Sequence, residues 1–100
     1  MVILLPLGHG RIYLWAEVWL AYKSIDGIYH FRVEAVIPID VNMPKNYTAT
    51  GSYDNRGRKY YYSEWYKNIH EAEDEAYNLT NFLMSLHKKA MFVRELRLPL

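Results

Sequence analysis

The stretch RIYLWAEVWLAYKSIDGIYHFRVEAVIPI, residues 11–39, decides the fold. Between Arg11 and Lys23 the even positions carry Ile12, Leu14, Ala16, Val18, Leu20 and Tyr22, while Arg11, Glu17 and Lys23 fall on odd ones. That alternation predicts a strand with one buried face. Asp26-Gly27 follows, and both residue types tolerate the left-handed backbone of a tight hairpin turn. Beyond it the parity flips, so that Tyr29, Phe31, Val33, Ala35, Ile37 and Ile39 alternate. A two-residue loop sets Tyr22 against Phe31, Leu20 against Val33, Val18 against Ala35 and Leu14 against Ile39, and the two apolar faces coincide. A four-residue loop from Ser24 to Gly27 keeps the same facing parity, whereas a three-residue loop opposes a core face to a polar one.

Working outward, Asp40 to Lys45, with Pro38 before it and Pro44 inside it, reads as a connection. Tyr47 to Tyr53 and Arg58 to Lys67 then flank the turn Asp54-Asn55-Arg56-Gly57 as a second, more polar hairpin. Asn68 marks a helix start: its side chain is placed to accept from the backbone near Glu71, with Glu71 reaching back as in a capping box. Ile69, Ala72, Ala76, Leu79, Leu83, Leu86 and Ala90 recur at helical spacing and predict one apolar face. Glu71, Glu73, Asp74 and Glu75 lie in the first turns and His87, Lys88 and Lys89 in the last, each matching the sign of its helix end. Met91 to Leu98 predicts a strand after the helix, and Val2 to Leu7 a short strand at the start. The expected fold is α+β: an antiparallel sheet of about four to five strands against one long helix over about residues 69–89, in a single domain spanning 1–100.

Composition bounds the function. Of 100 residues, 51% are hydrophobic and 16% aromatic, with ten tyrosines, which is ample for a core. The formal charge of +1 argues against a strongly basic nucleic-acid coat and leaves room for a local patch. Without cysteine there is no disulfide, thiolate nucleophile or cysteine-ligated zinc, and a reducing cytoplasm is the expected compartment. Val2 to Leu7 is too short to span a bilayer or to act as a secretory core, so no membrane association is expected. The lack of glutamine alongside cysteine fits a thermophile's avoidance of labile side chains.

Two features suggest a binding site. Opposite the apolar face of the first hairpin, Tyr13, Trp15 and Trp19 share a surface with Lys23, His30 and Arg32, diluted by Glu17 and Glu34. Flat rings among cations stack on bases or anchor a protein partner. The simpler account is that the chain's own fold or a second subunit covers these rings, which keeps a homodimer open. In the second hairpin, Arg56, Arg58 and Lys59 sit at a turn beside Tyr60, Tyr61 and Tyr62, a composition suited to phosphate contact, although an ordinary soluble turn has the same residues. His9, His30, His70 and His87 lack metal-ligand spacing; His70 with Asp74 reads as a surface pair, and no metal or cofactor is expected. Neither a nucleophile elbow nor a P-loop occurs, and Gly8-His9-Gly10 lacks the spacing of a phosphate loop, so an enzyme is not expected.

From Gly51 to Leu83, the run Tyr53-Asp54-Asn55-Arg56-Gly57-Arg58-Lys59, an aromatic strand, then Glu71-Ala72-Glu73 and Ala76, resembles the strand–turn–strand–helix end of integrase arm-type DNA-binding domains. The resemblance implies a sheet whose free face enters a DNA groove, with contacts from Arg56, Arg58, Lys59 and Tyr61. The first hairpin is longer than that family needs and a further strand is expected after the helix. The small, tyrosine-rich composition also looks like that of orphan proteins of archaeal viruses and mobile elements. The expectations are therefore a non-enzymatic DNA-binding protein using Arg56, Arg58, Lys59, Tyr61, Lys23 and Arg32, or else a homodimeric interaction module, for example an inhibitor of a host protein, presenting Tyr13, Trp15, Trp19 and His30. A viral chain would act in the host cytoplasm.

Overall fold

The computed structural model describes residues 6–7, 10–11, 15–87 and 90–97. Strands β1 (Pro6–Leu7) and β2 (Gly10–Arg11) form a minimal antiparallel ladder. The main elements follow in order: β3 (Ala16–Ile25), β4 (Ile28–Pro38), β5 (Thr48–Tyr53), β6 (Arg58–Tyr62), helix α1 (Ile69–His87) and β7 (Ala90–Arg97). Strands β5, β6, β4 and β3 are antiparallel neighbours in that spatial order, and α1 packs on one face, which makes the chain α+β. Strand β7 lies beside β3 in the parallel direction, a departure from the antiparallel expectation. Because β6 also runs parallel to β3, β6–α1–β7 is a crossover with the β3–β4 hairpin between its two strands.

The first hairpin has the register set by a two-residue turn: Ile25 pairs with Ile28, Tyr22 with Phe31, Leu20 with Val33 and Val18 with Ala35. Asp26 (φ 51°) and Gly27 (φ 78°) both take the positive φ of a turn whose twist matches the strands. The ladder differs at its base. Strand β3 begins at Ala16, and β4 ends at Pro38, so Ile39 lies in a turn and is 57% exposed; Ile12 and Leu14 lie outside the described residues. In β5, Gly51 (φ 84°) sits where the pairing with β6 shifts between Ala49 and Tyr53, and such a bulge blunts the outer edge of a sheet.

The core lies between sheet and helix. Ala16, Val18 and Leu20 of β3 and Val33, Ala35 and Ile37 of β4 meet Ala72, Ala76, Leu79 and Leu83 of α1, with Tyr47 closing one side. Alanines on both layers let the helix axis approach the strands, while leucines fill the space between. The helix begins with Asn68 Oδ1 accepting the His70 N–H at 2.8 Å, one residue earlier than the expected Glu71 N–H. It ends at His87, so the apolar face stops at Leu83: Leu86 is 53% exposed and Ala90 belongs to β7, while Lys88 and Lys89 lie outside the described residues. His70 faces Glu73 at 3.4 Å, rather than Asp74, since the i,i+3 carboxylate is the nearer one here.

Candidate functional site

Register assigns side chains to the two sheet faces. Since Val18, Leu20, Val33 and Ala35 face the helix, their alternates Glu17, Trp19, Ala21 and Lys23 of β3 and His30, Arg32, Glu34 and Val36 of β4 belong to the helix-free face. Pairing of β6 with β4 adds Tyr62 opposite Glu34, Tyr60 opposite Val36 and Arg58 opposite Pro38. Beyond Tyr62 the chain keeps to the same edge of β4: Ser63 N–H donates to the Val33 carbonyl at 2.9 Å, and Phe31 and Tyr66 exchange backbone hydrogen bonds of 2.7 and 2.6 Å. The buried Ser63 hydroxyl accepts the Val33 N–H and donates to the Glu64 carbonyl, both at 2.9 Å, so the irregular step leaves those groups satisfied. This continuation carries Trp65 onto the helix-free face while Tyr66 packs on the core.

The result is a tier of alternating cations and rings. Lys23 Nζ stands 4.4 Å from the Trp65 ring centre, and the Arg32 guanidinium lies 4.5 Å from Trp65 and 4.4 Å from Tyr62. Arg32 is held beside those rings by Glu34, whose Oε2 accepts from Nε at 2.8 Å and lies 2.8 Å from Nη2 as an ion pair. Glu34 Oε1 accepts from Trp19 Nε1–H at 3.2 Å. Each cation–ring contact contributes about 0.5–2 kcal/mol, and the carboxylate fixes the guanidinium more firmly than either ring alone. Beside the tier, Trp19, Arg32, Glu34, Thr50 and Tyr60 to Tyr62 border a groove of about 390 Å³.

Several expected site residues go elsewhere. Trp15 leaves the helix-free face at the bend before β3 and stacks on His87, ring centres 4.8 Å apart, beside the core. Trp19 stays on that face yet is only 6% exposed within a single chain. Tyr13 lies outside the described residues. His30 is half-buried and its Nδ1–H donates to the Ile28 carbonyl at 2.9 Å. Tyr61 borders the groove but is opposite Ala35 and packs on the core.

The basic turn does not form one cationic surface. Arg58 Nε donates to Asp54 Oδ2 at 2.6 Å and its Nη1 reaches Glu17 at 3.3 Å. Lys59 follows on the opposite side of the strand, and Arg56 is exposed at the tip. Partial burial raises the Asp54 pKa, but the Arg58 N–H and guanidinium, the Arg56 N–H and the Arg58 charge outweigh it and hold the carboxyl below its ordinary value. This is the electrostatics of a well-tied turn.

Sequence reasoning missed Trp65, and it named Glu34 only as a diluting charge and Tyr60 and Tyr62 only beside the basic turn, without joining the two hairpins into one site. The signal for Tyr60 and Tyr62 was their alternation with Tyr61, whereas Trp65 depends on the irregular step at Ser63. A second concavity, of about 650 Å³, between Trp65–Lys67 and α1 is bordered by Glu64, Glu71, Asp74 and Glu75. Burial, followed by the charges of Glu75, Glu64 and Glu71, raises the Tyr66 pKa there, and such an acidic wall repels phosphate. Glu75 also accepts from Tyr47 Oη at 2.7 Å and Asn46 Nδ2 at 2.9 Å, tying the connection after β4 to the helix. Among the described residues, no cluster of three or more His, Asp or Glu is placed to hold a metal ion, and no helix is long and apolar enough to cross a membrane. No family model matches the chain, nor does any curated protein or solved structure.

Proposed function

We propose that the chain is a small non-enzymatic nucleic-acid-binding protein that receives a single strand on its helix-free sheet face. The observation that carries this reading is the Lys23–Trp65–Arg32–Tyr62 tier beside the groove. Rings fixed on a sheet offer stacking platforms, each worth about 1–3 kcal/mol per base, and they accept any base because every base has a π-face. Lys23, at the edge of the tier, and Arg56, at the exposed tip of the turn, are cations of the kind that contact backbone phosphates. The emphasis thereby moves from the turn to the sheet, because Arg58 is already engaged by Asp54 and Glu17. The near-neutral net charge fits a ligand held by stacking more than by counterion release.

Fluorescence anisotropy with a labelled mixed-sequence single strand and its duplex tests the proposal. Expected are tighter binding of the single strand, a shallow salt dependence and at least a tenfold loss on Trp65→Ala. No binding of the single strand at low salt overturns it.

A second reading, a homodimeric or host-protein interaction module, is favoured by the tip of the first hairpin, where Ile25, Ile28 and Tyr29 are exposed. It places the interface at the tip, since Trp19 is already covered within one chain. Light scattering after size exclusion that finds only monomer, unchanged by Ile28→Lys, removes the dimer form of this reading.

A further inference from the structure

We infer that the groove discriminates between bases by hydrogen-bonding polarity, taking cytosine in preference to uracil, with the Glu34 carboxylate as the reading group. The inference rests on the nucleic-acid reading above and names what that same face would select. Its starting point is the charge balance of the groove. Among the described residues that line it, Arg32 and Glu34 are the two charged ones and are paired to each other at 2.8 Å, while Trp19, Thr50 and Tyr60 to Tyr62 are uncharged. A neutral, aromatic-walled groove is a poor seat for phosphate and a good one for a flat uncharged ring. Its volume of about 390 Å³ is at the lower end of small-ligand sites, which suits one base rather than a paired stack.

Glu34 sets the polarity at the groove wall. A carboxylate offers about four acceptor positions and no donor. Three N–H groups already approach it: Trp19 Nε1 on Oε1, and Arg32 Nε and Nη2 on Oε2. The unshared position is on Oε1, and the side chain remains 18% exposed, so it is reachable from the groove. A base that enters therefore meets an acceptor. Cytosine presents an exocyclic amino group whose hydrogen can be donated with no carbonyl on its outer side. Uracil has a carbonyl at that position, and its ring N–H is flanked by two carbonyl oxygens that the carboxylate repels. Trp19 and Arg32 hold the carboxylate in place before a ligand arrives, so it cannot turn away from the mismatched edge without breaking both interactions.

The test is anisotropy of the unmodified chain with deoxycytidine and deoxyuridine oligomers of equal length at neutral pH. These differ at the edge in question and share backbone and ring size. The expected result is about tenfold tighter binding of the deoxycytidine oligomer, the ratio that one hydrogen bond to a charged acceptor supplies. In Glu34→Gln, whose amide both donates and accepts, the ratio is expected to fall to within about twofold. Binding of both oligomers with equal affinity overturns the inference and leaves the nucleic-acid reading standing; binding of neither overturns both. A preference for deoxycytidine that survives Glu34→Gln overturns Glu34 as the reader.

Discussion

The guanidinium of Arg58 lies 3.3 Å from the carboxylate of Glu17, spanning β4, which runs between their two strands. Its Nε donates to Asp54 at 2.6 Å, so one side chain links the 54–57 turn to the middle of the sheet. Both carboxylates and the guanidinium are largely withdrawn from water, with side-chain exposures of 10–15%. Arg58 therefore acts in folding, as the tie between the two hairpins.

Arg58→Ala is expected to destabilise the chain by about 1–3 kcal/mol, because it leaves Glu17 and Asp54 without their shared cation. Arg58→Lys is expected to recover less than half of that loss, since a single ammonium cannot span both carboxylates. The urea midpoint should fall with an unchanged slope. Equal stability of Arg58→Ala and the parent chain contradicts the tie.

Asp54 gives this turn a pH signature. Its folded pKa is depressed, so its contribution is complete above the unfolded carboxyl value of about 3.9 and is lost as pH falls through the folded value. The stability gap between the parent chain and Asp54→Asn should be widest near neutrality and close progressively below about pH 4. Thermal melts of both chains across that range measure the gap. A gap that stays constant down to strongly acid pH disproves the linkage.

The parts legible in sequence are those set by local rules. Asp26-Gly27 dictates the turn, the turn dictates parity, and parity places Val18, Leu20, Val33 and Ala35 on one face. The helical spacing of Ala72, Ala76, Leu79 and Leu83 is equally local. What escaped depends on distant partners. Trp15 follows the odd-numbered alternation of Glu17 and Trp19, but a bend before Ala16 delivers it to His87 at the far end of the helix. Arg58 reads as a turn cation until the sheet order brings Glu17 near, and Trp65, expected inside a strand running to Lys67, lies three residues past the end of β6 at Tyr62, where plain alternation with Tyr61 no longer sets its face. The site was thus half visible: its β3 and β4 residues by alternation, its Trp65 only through a tertiary step.

That step depends on Ser63. Its hydroxyl takes the place of a backbone acceptor for the Val33 N–H, at 2.9 Å, on a residue that is buried. Ser63→Ala is expected to cost about 1–3 kcal/mol, the penalty of a buried donor left without its acceptor. Faster amide exchange at Val33 than at Ala35 should accompany it. Unchanged protection at Val33 would mean that the hydroxyl is dispensable to the step that carries Trp65 across the sheet.

Two leucines one turn apart distinguish where the helix stops contributing to the core. Leu83 is completely buried among the β3 and β4 side chains, whereas Leu86 is 53% exposed although the apolar spacing includes both. Leu83→Ala is expected to cost about 2–5 kcal/mol through lost burial and the cavity left behind. Leu86→Ala, which opens no cavity and adds the best helix former, should stay within about 0.5 kcal/mol. Denaturant titrations of the pair decide the point: comparable losses at both positions would extend the packed face by a turn and bring the helix end down onto the sheet.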